Sequence, residues 1–230
     1  MSTAPLDLSK PNRPIEVGVL LMGGTTEILD VAPIDMLYSL SHQCLDDWDE
    51  KFIDPKLKAQ ALDMNFHWVS EKKVPTKLTG GLNITPTDDF TTSPPLDIVI
   101  MGAHDFKYTP NETELAYIRK SYEGSSAFIA ICGGIQAPLQ AGILKGLSAT
   151  APRPLLPIAK QLSQDTEWHE KRWHQDGKMW TSGTLLNGND LMAAFAQKYW
   201  GGDESLAQWM VLTGHWPQRD VNYKDAVSPL

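Results

Sequence analysis

Cysteine is scarce in this 230-residue chain: Cys44 and Cys132 stand alone and far apart. Two thiols build no disulfide framework, and no second ligand pair stands at zinc-binding spacing. A reducing, cytoplasmic setting is therefore expected. Long hydrophobic runs are also missing. The strongest, Val17–Met22 and Ile98–Ala103, fall far short of the roughly 20 residues that a membrane-crossing helix needs. Basic charge is in deficit, with 20 Lys and Arg against 28 Asp and Glu. That balance disfavours nucleic acid, whose phosphates need a basic surface, and an anionic membrane surface. Repeats and low-complexity tracts are absent.

What is present suits one large domain. Hydrophobic residues make up 42% of the chain, enough to bury a full core at this length. The first 14 residues, MSTAPLDLSKPNRP, are polar and Pro-rich with no apolar signal-like stretch, so a disordered leader over 1–14 is expected before a single domain over 15–230. Three short apolar runs rich in β-formers read as buried strands: Ile15–Met22, Leu96–Met101 and Ser126–Ile131. Helical spacing appears from Glu27 to Ser41, with Pro33 in its first turn or kinking it. Thr109-Pro110-Asn111-Glu112 reads as a helix start with a hydroxyl cap. Residues 45–62 read as a surface insertion, and Leu78–Ile84 as a hairpin around Gly80-Gly81. Two strands near 171–173 and 178–182 are expected to join through Asp176-Gly177, and a helix is expected over Asn189–Trp200. This alternation predicts an α/β three-layer sandwich with a mainly parallel, flavodoxin-like sheet.

The segment with chemical content is Phe128-Ile129-Ala130-Ile131-Cys132-Gly133-Gly134-Ile135-Gln136. A buried strand ends in a nucleophilic residue and passes through two glycines into a helix, the pattern of a nucleophile elbow. The turn is tight, so its neighbours must be small. It holds the sulfur at the C-terminal edge of the sheet, where α/β proteins place their sites. The helix start is expected to stabilise a thiolate and a developing oxyanion. A buried structural cysteine is the alternative.

Four stretches give the chain a wider likeness. They are Val17–Met22 followed by Glu27-Ile28-Leu29-Asp30-Val31-Ala32-Pro33; Asp97–Ala103; Ala130–Gly134; and Asp176–Gly183. Together they resemble the ThiJ/PfpI superfamily, the group of the Parkinsonism-associated deglycase and isocyanide hydratase, with a class I glutamine-amidotransferase-like fold. The Leu29-Asp30 segment is closest to the isocyanide hydratase-like branch. The resemblance implies Cys132 as nucleophile and an acid from the first helix start beside it, Asp30 on the match of its Leu-Asp segment, with Glu27 in reserve. It implies oxyanion donors at Gly102, Ala103 and Gly133, with His104 and Thr150 among the substrate-facing residues. It also implies a homodimer, a small-molecule substrate and no cofactor.

The chain departs from the family pattern at three points. Ala149-Thr150-Ala151-Pro152-Arg153 puts Pro152 where the family often has histidine, Gly133 stands where the hydratase branch commonly has threonine, and Ser182–Gly188 is altered. The reading is a cofactor-independent enzyme acting on a small electrophile, closest to isocyanide hydration, a lyase reaction. Glyoxalase- or deglycase-type action on α-oxoaldehydes and a non-enzymatic redox sensor are the alternatives. Amide hydrolysis is disfavoured, because the expected late His-x-Glu is absent.

Overall fold

A computed structural model describes residues 5–226. A seven-stranded sheet forms its centre. Its strands are β1 (Ile15–Leu20), β2 (Met64–Ser70), β3 (Asp88–Asp89), β4 (Ile98–Met101), β5 (Ala127–Ile131), β6 (Trp173–Asp176) and β7 (Met179–Ser182). The spatial order is β6-β7-β5-β4-β1-β2-β3. Every pairing is parallel except the β6–β7 hairpin. The flavodoxin-like, mainly parallel sandwich is thus present.

The three apolar runs became β1, β4 and β5, the sheet's middle, where both faces are covered. Alternation sorts their side chains. Ile98, Ile100, Ile129 and Ile131 pack on one face, whereas Val99, Met101, Phe128 and Ala130 pack on the other, as a period of two requires. The first face is closed by the helix Asn187–Trp200, with Leu191 and Phe195 fully buried. The second is closed by the helix Glu112–Gly124 through Tyr117 and Ile118.

The helices, in chain order, are α1 (Ile28–Val31), α2 (Asp35–Ser39), α3 (Glu112–Gly124), α4 (Gln136–Ala141), α5 (Leu156–Leu162), α6 (Asn187–Trp200) and α7 (Leu206–Thr213), beside short turns at 42–45 and 55–58. Pro33 does break the first helical pattern: a 3₁₀ turn over Ala32–Ile34 separates α1 from α2. The cap of α3 is Asn111 rather than Thr109. Its side chain accepts from the Glu114 N–H, and Glu114 accepts from the Asn111 N–H in return, which satisfies two orphan donors at once. The stretch 147–150 does not join the main sheet; Ser148–Ala149 pairs with Glu167–Trp168 in a separate ribbon.

The disordered leader is not seen over residues 5–14; residues 1–4 lie outside the described part. Leu8 is 2% exposed. Its carbonyl accepts from Trp200 Nε1 at 2.7 Å, and the Leu6 carbonyl accepts from Ser126 Oγ at 2.6 Å. One apolar side chain and two buried hydrogen bonds outweigh the polar composition by which the segment was judged. Among the described residues no helix is long and apolar enough to cross a membrane.

Candidate active site

The site is built from the C-terminal ends of β1, β4, β5 and β7. Cys132 follows β5 directly and adopts a left-handed backbone, φ 59°. For a side chain with a Cβ that conformation costs about 1–2 kcal/mol, and it lets the chain leave the strand abruptly into the 3₁₀ turn Cys132–Ile135 and then α4. Gly134 is required by close approach. A Cβ there would collide with the Met101 carbonyl oxygen and the Gly102 carbonyl carbon, both backbone atoms of the neighbouring strand end. The sulfur is held at the sheet edge and remains partly exposed.

Asp30 faces it. This carboxyl lies in α1, is 0% exposed, and stands close enough to the Cys132 thiol to shift its pKa, while its Oδ1 has no hydrogen-bond partner. Its Oδ2 accepts from the Ala103 N–H at 2.9 Å, which fixes the carboxyl group against the end of β4. Burial, only partly offset by the Ala103 bond, lifts the Asp30 pKa to about 7. Burial and the Asp30 charge push the Cys132 thiol up to about 11, while N–H groups of Leu185 and Gly133 pull it back. The resting pair at neutral pH is therefore a protonated thiol beside a carboxyl near its midpoint. The sequence-based expectation of a standing thiolate is corrected: the α4 start is short, and desolvation outweighs the N–H groups that reach the sulfur.

The two acid candidates are separated by position. Glu27 precedes α1, and its Oε1 accepts from Thr79 Oγ1 at 2.9 Å, while its N–H donates to the Ala103 carbonyl. It acts on Asp30 through its charge and holds the helix start. Gly102 leaves room for Asp30, since a Cβ there would press on the Asp30 Cβ. Ala103 has its N–H committed to Asp30, so its role in the resting site is to position the carboxyl rather than to face an oxyanion. The Gly133 N–H also favours the ionised sulfur.

His104 is buried, and neither ring nitrogen has a hydrogen-bond partner. It meets Tyr108 edge-on, with Glu114 and Asp105 as its charged neighbours, and burial holds its pKa below the usual value. It belongs to the β1–β2 side of the edge. A cleft of about 470 Å³ opens there between Gly24, Ser70, Lys77 and Tyr108, and neither Cys132 nor Asp30 lines it. Thr150 is fully buried, with its hydroxyl 2.8 Å from the carbonyl oxygens of both His169 and Lys171. That hydroxyl closes a turn, which its expected substrate-facing role did not foresee.

Leu185 was missed. It has φ 44° and lies in the loop after β7, where its N–H favours the ionised sulfur of Cys132. The only sequence signal was that Ser182–Gly188 occupies an altered family segment; a leucine offers no chemistry of its own.

With this geometry in place, comparisons with known proteins have a physical meaning. The model of the DJ-1/PfpI family matches residues 44–198, spanning the elbow but not Asp30. An isonitrile hydratase of Pseudomonas putida is 26% identical over 194 residues, covering 82% of this chain and 74% of that protein. A ThiJ/PfpI family protein from Pseudomonas syringae superposes with a TM-score of 0.68 at 16% identity, over 95% of this chain and 78% of that one. Drosophila melanogaster DJ-1beta superposes with a TM-score of 0.67 at 15% identity, over 89% of this chain and 100% of that one. At those identities the structures attest the fold alone. The family match covers more than half of the chain, and this protein belongs to the DJ-1/PfpI family.

Proposed function

We propose that this protein is a cofactor-independent enzyme in which Cys132 adds to a small electrophilic carbon, with hydration of an isocyanide as the favoured reaction. The observation that carries the reading is the coupled pair of a thiol at a left-handed elbow and a buried carboxyl with a pKa of about 7. A carboxyl poised there takes a proton and returns it at little cost near neutral pH, which is what general acid–base catalysis needs. The relationship to isonitrile hydratase supplies the substrate class.

The steps balance without an added reagent. Asp30 takes the thiol proton as the sulfur forms a bond to the terminal isocyanide carbon. The proton then passes to that carbon, leaving a thioimidate, R–N=CH–S. Water adds to the same carbon, the C–S bond breaks, and nitrogen gains a proton. The product is an N-substituted formamide, and the thiol is restored. The N–H groups of Leu185 and Gly133 face the sulfur and stabilise the anion in the first and last steps.

A protonated resting thiol gives less support to an oxidant sensor, because the thiolate is the species that oxidises readily. The test is a turnover screen with alkyl and aryl isocyanides alongside methylglyoxal, using Cys132→Ala as control. Formamide formation that needs Cys132 supports the proposal. Turnover of methylglyoxal alone would replace it with the glyoxalase-type reading, and activity surviving in Cys132→Ala would end both.

A further inference from the structure

The C-terminal segment grips the loop that carries Leu185. In β7, Ser182 pairs with Ile131 of β5 in parallel register, so Gly183 and Cys132 continue two adjacent strands. The loop between Gly183 and α6 is tied at each side of Leu185. Arg219 donates through Nη2 to the Leu186 carbonyl at 3.1 Å, and pairs with the buried Asp190 at 2.5 Å. Arg172, 4% exposed, donates to Asn187 Oδ1 at 3.1 Å, to the Asp220 carbonyl at 3.1 Å and to Asp225 Oδ1 at 2.7 Å. The Arg172 carbonyl also accepts from the Gly183 N–H at 2.9 Å.

Tyr223 is the wedge between these ties. Its ring lies under the Arg172 guanidinium at 4.7 Å and beside that of Arg153 at 5.3 Å. Its hydroxyl accepts from Asn187 Nδ2 at 3.2 Å. It also fills the space beside Gly183, where a Cβ would collide with the Tyr223 hydroxyl and Asn187 Nδ2.

We propose that Tyr223 is a positioning residue for the active site: by wedging residues 183–187 against Arg172, it holds the loop of Leu185 beside the Cys132 elbow. The inference rests on Cys132 being the reactive residue and assigns the C-terminal segment a part in its reactivity. Leu185 needs such support, because a left-handed leucine relaxes unless its surroundings over-determine it. The groups facing the sulfur are Asp30 from α1 and the N–H groups of Gly133 and Leu185. Replacing Tyr223 by a neutral residue leaves Asp30, Arg153, Arg172, Asp190 and Arg219 charged as before. A change in the sulfur then reports the loop and not a lost charge.

The experiment measures alkylation of Cys132 by iodoacetamide from pH 7 to pH 10, read by peptide mass spectrometry with Cys44 as internal reference. In Tyr223→Ala the Cys132 rate at pH 8 is expected to fall roughly tenfold, with the profile displaced about one pH unit upward, the effect of moving away one N–H that favours the thiolate. Tyr223→Phe keeps the ring and loses only the Asn187 bond, so it is expected to lose about threefold; should the alanine variant fail to fold, this one decides. The Cys44 rate is expected to stay at its wild-type value in both. A wild-type Cys132 profile in a folded variant, or a rise of both cysteine rates together, would overturn the proposal. Alkylation needs no substrate, so a failed turnover screen leaves this result standing, and an unchanged profile leaves the hydratase reading standing.

Discussion

The two cysteines of this protein share more than their roles suggest. Cys44 and Cys132 are both free and partly exposed. Burial raises the pKa of both, and each has a carboxylate neighbour that adds to the shift, Asp35 for Cys44 and Asp30 for Cys132. Neither residue type nor a nearby acid therefore distinguishes the two. Cys44 sits in the ordinary helical turn His42–Leu45. Cys132 stands at a left-handed elbow, where the N–H groups of two further residues favour its ionised form, beside a carboxyl that is itself half-titrated near neutrality. The difference is backbone geometry and the enclosure of the acid.

The largest test of that contrast is deletion of each thiol. Cys132→Ala is expected to lower kcat/KM at least a thousandfold, and Cys44→Ala to leave it within about twofold, in the formamide assay. Next come the two acids. Asp30→Asn keeps an oxygen for the Ala103 N–H but cannot carry the proton, and a loss of about a hundredfold or more in kcat is expected. Asp35→Asn, beside Cys44, should leave kcat unchanged. Equal losses in the two variants would erase the distinction between the cysteine sites.

A smaller effect concerns stability. Gly134→Ala forces a methyl into the β4 strand end, and a loss of about 2–4 kcal/mol is expected in urea unfolding. A loss under about 0.5 kcal/mol would show that the elbow tolerates a Cβ. The last test is pH-linked. Asp30 holds its proton to about pH 7 in the folded protein, while an unfolded aspartate releases it near pH 4. The folded state then binds more protons across that window, so this group makes stability fall as pH rises from about 4 to 7, with no further change above. Asp30→Asn removes the penalty. The variant should gain on the wild type by about 1–3 kcal/mol between pH 4.5 and pH 7.5 in paired urea titrations, and parallel curves would place the carboxyl in a wetter setting than the structure does.

Much of this was legible in the sequence. The three apolar runs became the central strands because burial on both faces demands an uninterrupted apolar stretch. The elbow was legible because a strand, a nucleophile and two glycines are contiguous. The docked residues 5–14 were not, since Leu8 looks dispensable until its cavity is known. Asn111 was passed over for Thr109 because both residue types cap helices, and only the backbone reveals which one precedes the first turn. The commitment of the Thr150 hydroxyl and of the Ala103 N–H was equally hidden, because each is set by a partner distant in sequence.

By itself, the sequence determined the α/β class, the middle strands and the chemical identity of Cys132 at its turn. These follow from short-range rules of periodicity, sterics and turn chemistry. Tertiary structure alone decided that Asp30 is buried beside Cys132 while Glu27 is tied to Thr79, that burial raises the pKa of both Asp30 and Cys132, and that the loop of Leu185 adjoins the elbow. Those outcomes depend on parallel register between strands far apart in sequence, such as Val17 beside Ile98 and Phe128 beside Met179, and on how completely water is removed between them. Local pattern encodes neither quantity.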